Sequence, residues 1–242
     1  MKAENMKVKS EETAAVFTKD SLKIDAAKVT AELCQVIAEQ IGVQMKKRGA
    51  VIGISGGIDS SVVAALCAKA LGPQRVVGIM MPEQDSSPVS KQLALTLAAK
   101  FGFETVEEVL TPGLSGMCCY ERRDEAIRQV FPEFGEGYKC KIVIPTNVLE
   151  DQSFNYFTLK VEDPQGQWHS RRMPMSVYLQ VVAASNLKQR LRMTTLYYHA
   201  EKRNWAVFGT GNKDEPEQGF FVKWGDGGPD LKPLAHRFKT QV

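Results

Sequence analysis

The chain has 242 residues, 43% of them hydrophobic and 24% charged, with a formal net charge of +3. That length suits one α/β domain with a large core, and the small positive balance fits anionic small molecules better than nucleic acid. No stretch has the length of a membrane span, and the polar first twenty residues lack the apolar segment of a signal peptide.

Residues 1–20 read as a flexible tail, and 21–242 as a single domain with an insertion over about 111–174. From Ser21 to Lys47 the apolar positions Ile24, Ala27, Leu33, Val36, Ile37, Ile41 and Met45 recur at helical spacing, with Gly49 as a stop. Ala50 to Ile54 predicts a short buried strand, Ser61 to Leu71 a helix closed by Gly72-Pro73, and Val76 to Met80 a second strand. Ser87-Pro88 opens a helix that runs to Phe101-Gly102, with serine as N-cap and proline in the first turn. Glu104 to Leu110 predicts a third strand. Strands alternating with helices point to a doubly wound parallel sheet, Rossmann-like, with helices on both faces.

The middle of the chain is less regular. Glu121 to Phe131 predicts a helix, and 135–146 is mixed around the apolar run Ile142-Val143-Ile144. Phe154 to Lys160 and Trp168 to Met173 predict a β-hairpin through the turn Asp163-Pro164-Gln165-Gly166, beside the main sheet. Pro174 opens a long helix to about His199, and Trp205 to Phe208 is a further core strand. Pro233 to Thr240 reads as the start of a helix with an apolar face at Leu234 and Phe238, so the natural chain is expected to run on past Val242.

Five cysteines show no C-x-x-C pair and no partnering histidine spacing; Cys34 and Cys67 fit apolar helical faces, and the adjacent Cys118-Cys119 reads as ordinary thiols ahead of a redox or metal element. A reducing cytoplasm fits this usage. His169, His199 and His236 are scattered, without a carboxylate or serine at catalytic spacing. Arg122-Arg123 and Arg171-Arg172 read as solvated faces. Phe220, Phe221 and Trp224 suit either stacking on a ligand ring or core packing.

Ser55-Gly56-Gly57-Ile58-Asp59-Ser60 stands between the first strand and its helix. Two glycines at such a turn let backbone N–H groups and a helix N-terminus close on an anion, and a phosphate chain is the natural occupant. The lysine of the common G-x-x-x-x-G-K-[S/T] loop is missing; Asp59 stands here instead, and a polyphosphate tolerates a carboxylate only with Mg²⁺ between them. The loop resembles the signature of the N-type ATP pyrophosphatases, which cleave ATP to AMP and pyrophosphate. After the last strand comes a glycine-rich, charged segment from Gly209 to Asp230, where ligands bind in open α/β sheets.

The motifs G-T-G-N-x-x-E, G-F-F-V-K-W-G-D-G-G-x-D and L-K-P-L, with Asn186 to Met193 in the long helix, resemble the NAD synthases. The likeness runs from about Val29 to Val242. It implies an adenine nucleotide alpha hydrolase-like fold and a homodimer. It also implies ATP-dependent amidation of deamido-NAD through an acyl-adenylate, with release of AMP and pyrophosphate. Carried onto this chain, Gly53, Ile54, Ser55, Gly56, Gly57, Ile58, Asp59 and Ser60 would wrap the ATP phosphates. Asp59 and Glu215 would hold Mg²⁺, Thr210 and Lys239 would contact ATP, and Arg190, Lys223 and Asp230 would bind deamido-NAD. Lys239 would also offset charge on the departing pyrophosphate, and Asp226 is the candidate to take a proton from ammonium. In such enzymes a later threonine and a His-Lys pair complete the sites. With no length for a glutaminase domain, the ammonia would be free or passed from a separate partner. Three alternatives stand beside this reading: a related adenylating amide ligase or amidotransferase acting on another carboxylic acid, a nucleotide-binding module without catalysis, and an interaction protein that keeps only the fold.

Overall fold

The computed structural model describes residues 18–143 and 157–242. After a short 3₁₀ turn at Lys19–Leu22, α1 (Ala26–Glu39) starts at Asp25, whose carboxylate accepts the N–H groups of Ala27 and Lys28 at 3.0 Å. A wider turn, Gln40–Gln44, closes it. The expected stop at Gly49 falls elsewhere, because Lys46 takes the left-handed conformation (φ 53°). Gly49 serves close packing instead: a Cβ there would come within 2.5 Å of the Arg75 carbonyl oxygen and 2.6 Å of the Trp205 ring.

The chain then alternates as predicted through β1 (Ala50–Gly53), α2 (Ile58–Leu71), β2 (Val76–Met80), α3 (Pro88–Phe101) and β3 (Glu104–Glu107). Ser87 occupies the N-cap position of α3, but its side chain makes no capping bond. Two further helices follow, α4 (Thr111–Gly116) and α5 (Cys119–Arg128).

The predicted hairpin is one part of a three-stranded antiparallel sheet, β4 (Lys139–Val143), β5 (Thr158–Glu162) and β6 (Trp168–Arg172), in that order. The central β5 buries Leu159 and Val161 against α5 and the following helix, while β4 supplies Cys140 and Ile142 to the same cluster. The first residues of the predicted hairpin, Phe154 to Tyr156, and the apolar Ile144 lie outside the described residues.

The long helix α6 (Met175–Glu201) returns the chain to β7 (Ala206–Phe208), and a short turn, α7 (Asp214–Glu217), follows. The main sheet has the order β3-β2-β1-β7, all parallel, with Ile52 level with Gly78 on one side and Phe208 on the other. Alternation of side chains along the strands divides the core. Ala50 and Ile52 pack with Ile37, Val63 and Ala98, hence with α1, α2 and α3. Val51, Val77, Ile79 and Val207 pack with Met193, Leu196 and Ala200 of α6 on the opposite face. The sheet is thus doubly wound, and its topology reverses between β1 and β7.

The helix expected over Pro233 to Thr240 does not form. Leu231 bridges to Phe208, the Arg237 carbonyl accepts the Lys213 N–H at 2.8 Å, and only a 3₁₀ turn at Lys239–Gln241 remains. Leu234 is buried in the main core without a helix to carry it. Among the described residues, no helix is long and apolar enough to cross a membrane.

Candidate active site

Loops leaving the carboxyl ends of β1 and β7 meet at the reversal point, where open α/β sheets bind ligands. A cavity of about 640 Å³ lies there. Its lining includes Gly53, Ile54, Ser55, Thr210, Glu215 and Asp226 among the residues expected in the site. Gly56, Gly57, Ile58, Asp59, Ser60 and Lys239 continue from it in the adjoining loop and turn, outside the lining itself. Arg190, Lys223 and Asp230 do not line it.

The loop after β1 is held by its own serines. Ser55 and Ser60 Oγ atoms lie 3.2 Å apart, Gly57 N–H donates to Ser55 Oγ at 3.2 Å, and Ser60 Oγ donates to the Gly57 carbonyl at 3.0 Å. Gly56 is left-handed (φ 79°). No side chain caps α2, so the N–H groups of its first turn stay available at Ile58 and Asp59. A helix end of this kind carries partial positive charge and suits phosphate.

Asp59 is the meeting point of the two loops. Its carboxylate accepts the Lys239 ammonium and, at 3.4 Å, the Asn212 side-chain amide. Asn212 was not among the expected site residues, yet it is 4% exposed and holds the whole turn: its backbone N–H donates to Glu215 Oε2 at 3.1 Å and its side-chain oxygen accepts the Asp214 N–H at 2.9 Å. Asp214 in turn accepts the Lys239 backbone N–H at 3.0 Å. The only trace of Asn212 in the sequence is its place in Gly-Thr-Gly-Asn. Burial, then the negative charge of Asp59, push the Glu215 carboxyl above its ordinary value, so a cation is favoured between these groups.

The segment from Gly209 to Leu231 is a closed excursion. At its neck Gly209 N–H donates to the Leu231 carbonyl at 2.7 Å, and Asp230 accepts the Val207 N–H at 2.8 Å and the Tyr197 hydroxyl at 3.0 Å. Asp230 therefore anchors the loop to β7 through one carboxylate oxygen and to α6 through the other. Arg190 reaches across from α6 to donate to the Lys223 carbonyl at 3.1 Å, bringing those two residues together. Asp226 accepts the Val222 N–H at 2.9 Å. Phe220, Phe221 and Trp224 are 77%, 50% and 71% exposed, which rules out core packing, and Phe220 lines the cavity.

Three polar residues have partners that the sequence did not show. His199 is buried against Glu108 at 2.7 Å and His169 pairs with Asp163 at 2.8 Å, so both have carboxylate partners, though neither lines the cavity. Arg123 is no solvated side chain: it is mostly buried and paired with Asp85 and Asp124. The five cysteines are free, Cys67 and Cys119 buried and Cys118 exposed, and no cluster of three metal-ligating side chains exists among the described residues.

The profile of the NAD synthase family matches residues 29–126 and 141–242, which takes in both loops and α6. The chain belongs to the NAD synthase family. It is 49% identical over 228 residues to the NH(3)-dependent NAD(+) synthetase of Rhizobium rhizogenes, covering 94% of this chain and 68% of that protein. It is 47% identical over 237 residues to the same enzyme of Rhizobium meliloti, covering 98% of this chain and 70% of the relative. Among solved structures, the NMN synthetase of Francisella tularensis aligns with a TM-score of 0.60 at 24% identity, over 90% of this chain and 68% of that one. The NH3-dependent NAD synthetase of Campylobacter jejuni aligns with a TM-score of 0.58 at 24% identity, over 90% and 70%. Those two structures share the fold.

Proposed function

We propose that this NAD synthase family member converts deamido-NAD to NAD with ATP and ammonia, through an acyl-adenylate, releasing AMP and pyrophosphate. The observation that carries the site assignment is the pairing of Asp59 and Glu215 through Asn212 at the mouth of an uncapped glycine loop.

A carboxylate is a poor electrophile. Attack by its oxygen on the α-phosphorus of ATP expels pyrophosphate and leaves the acyl carbon bonded to a good leaving group. Ammonia then forms the C–N bond and AMP departs. The chain's part in the first step would be electrostatic: loop amides and the α2 N-terminus would receive the phosphates, and the contact of Lys239 with Asp59 supports an exchange of that carboxylate for a phosphate oxygen. Asp59 and Glu215 fit Mg²⁺ because both are hard oxygen donors and the burial of Glu215 beside a like charge is relieved by a cation. Two carboxylates would leave coordination positions for water and phosphate. When bound, Mg²⁺ would supply charge neutralisation on the phosphate chain. In the second step Asp226 would accept a proton from ammonium; its position on the cavity wall, with one oxygen held by the Val222 N–H, supports that role. Thr210 lies on the same wall and supports an ATP contact.

Arg190 and Lys223 meet outside the cavity lining, which supports a role in holding the second substrate. Asp230 supports that role by fixing the loop that carries Lys223. Family membership also supports a homodimer in the cytoplasm, with ammonia drawn from solution or from a partner protein. Arg190→Ala and Lys223→Ala are each expected to raise the KM for deamido-NAD by roughly 10-fold or more, the scale of one charge-assisted hydrogen bond, with little change in the KM for ATP. Steady-state pyrophosphate release with each substrate varied in turn checks this. Equal weakening of both substrates would remove these residues from the dinucleotide site.

A further inference from the structure

A second charged cluster borders the cavity, built from the segment after β2, from α5 and from α6. Its centre is Glu83, whose side chain is 5% exposed. Glu83 accepts the Tyr120 hydroxyl at 2.8 Å and the Asp85 N–H at 3.1 Å, and the Lys188 ammonium lies 3.2 Å from both of its oxygens. Lys188 and Arg123 also neutralise Asp85. The buried carboxylate is thus matched without further help.

Arg192 stands one helical turn before Leu196 on α6, next to this cluster. Its guanidinium is 3.8 Å from Glu83 Oε1, too far for a hydrogen bond, and donates one long bond, 3.5 Å, to Gln189. Among the described residues it has no other polar partner, so most of its five N–H donors are unspent. Glu83 attracts the side chain without consuming those donors.

The placement is directional. The carboxyl end of α6 joins the start of β7, with the Trp205 N–H on the Ala200 carbonyl at 2.9 Å, and Leu196 lies against Gly53 at the end of β1. The helix therefore runs antiparallel to the strands, and Arg192 projects beyond their carboxyl ends beside the glycine loop. It lines the cavity together with Gly53, Ser55 and Thr210. The other cation on the lining, Lys91, is committed to Glu107 at 2.6 Å.

We propose that Arg192 binds a phosphate of ATP in this cavity. A planar guanidinium with parallel N–H groups matches phosphate oxygens in a way an ammonium does not. The inference rests on ATP occupying the cavity, as the proposed function requires.

Calorimetric titration of the full chain with Mg-ATP, adenosine and deamido-NAD, each alone, tests it in wild type, Arg192→Gln and Arg192→Lys. Arg192→Gln is expected to weaken ATP by roughly 10- to 100-fold while adenosine and deamido-NAD stay nearly unchanged, and Arg192→Lys is expected to recover part of the loss. Thermal unfolding of each variant reports folding; if the glutamine variant is unfolded, Arg192→Lys must still bind ATP several-fold more weakly with adenosine unaffected. Unchanged ATP affinity would overturn the proposal, as would an equal loss for adenosine. A loss confined to deamido-NAD would assign Arg192 to the dinucleotide's phosphates and overturn it too. Wild-type protein that binds no ATP would overturn the proposed function along with it, a result distinct from all of these.

Discussion

Replacing Asp59 by asparagine, or Glu215 by glutamine, is expected to slow pyrophosphate release by at least ~100-fold, the scale of losing one strong electrostatic contact in a transition state. Both changes keep size and most hydrogen-bond geometry. Asn212 still has an acceptor at Asp59→Asn and at Glu215→Gln, so the turn it organises is preserved. Stability moves in a separate direction from rate. Glu215 is disfavoured as an anion by burial and by Asp59, so Glu215→Gln is expected to melt no lower than wild type. Asp59→Asn loses an ion pair whose lysine is half-exposed, so its cost in stability is expected to be small beside the effect on rate. Rapid-quench measurement of pyrophosphate with a melting curve on the same samples separates the two. Near-normal turnover at low Mg²⁺ in either variant would remove that residue from the metal site.

Gly56→Ala carries the second large effect, for steric reasons. Gly56 has φ 79°, and a Cβ there would lie 2.9 Å from the Ser90 carbonyl oxygen and 3.1 Å from the Ser90 Cα. The left-handed conformation costs a non-glycine residue about 1–2 kcal/mol, and crowding against the α3 backbone costs about 1–3 kcal/mol more. The loop must either shift or stay strained. A lowered melting temperature together with at least ~10-fold weaker ATP binding is expected, since the loop amides lose their alignment. An alanine variant with wild-type melting and ATP affinity would contradict the close approach of α3 to this loop.

The main sheet was legible because β1 and β2 are buried on both faces and read as unbroken apolar runs, with glycine and proline punctuating the helices between them. The glycine loop was legible for a different reason, since its residues serve the backbone locally. What stayed hidden depends on contacts made far along the chain. β4 reads Lys-Cys-Lys-Ile-Val, and its charged positions suggest a loop until β5 pairs with it from across residues 144–156. Asn212 looks like a turn residue, and only the approach of Asp59 from another loop makes it a buried link. Arg123 looks solvated on its helix; Asp85, in the segment after β2, and its neighbour Asp124 pair with it there. The apolar spacing of Leu234 and Phe238 mimics a helix, but Leu234 reaches the core from an irregular segment tied to β7 by Leu231.

The position of bond cleavage in ATP tests the central claim most directly. With ATP, deamido-NAD, ammonium and Mg²⁺, chromatography of the products is expected to show AMP, pyrophosphate and NAD in equal amounts. ADP and inorganic phosphate as the main nucleotide products would contradict the assignment of the Gly53–Ser60 loop and its carboxylates to adenylation.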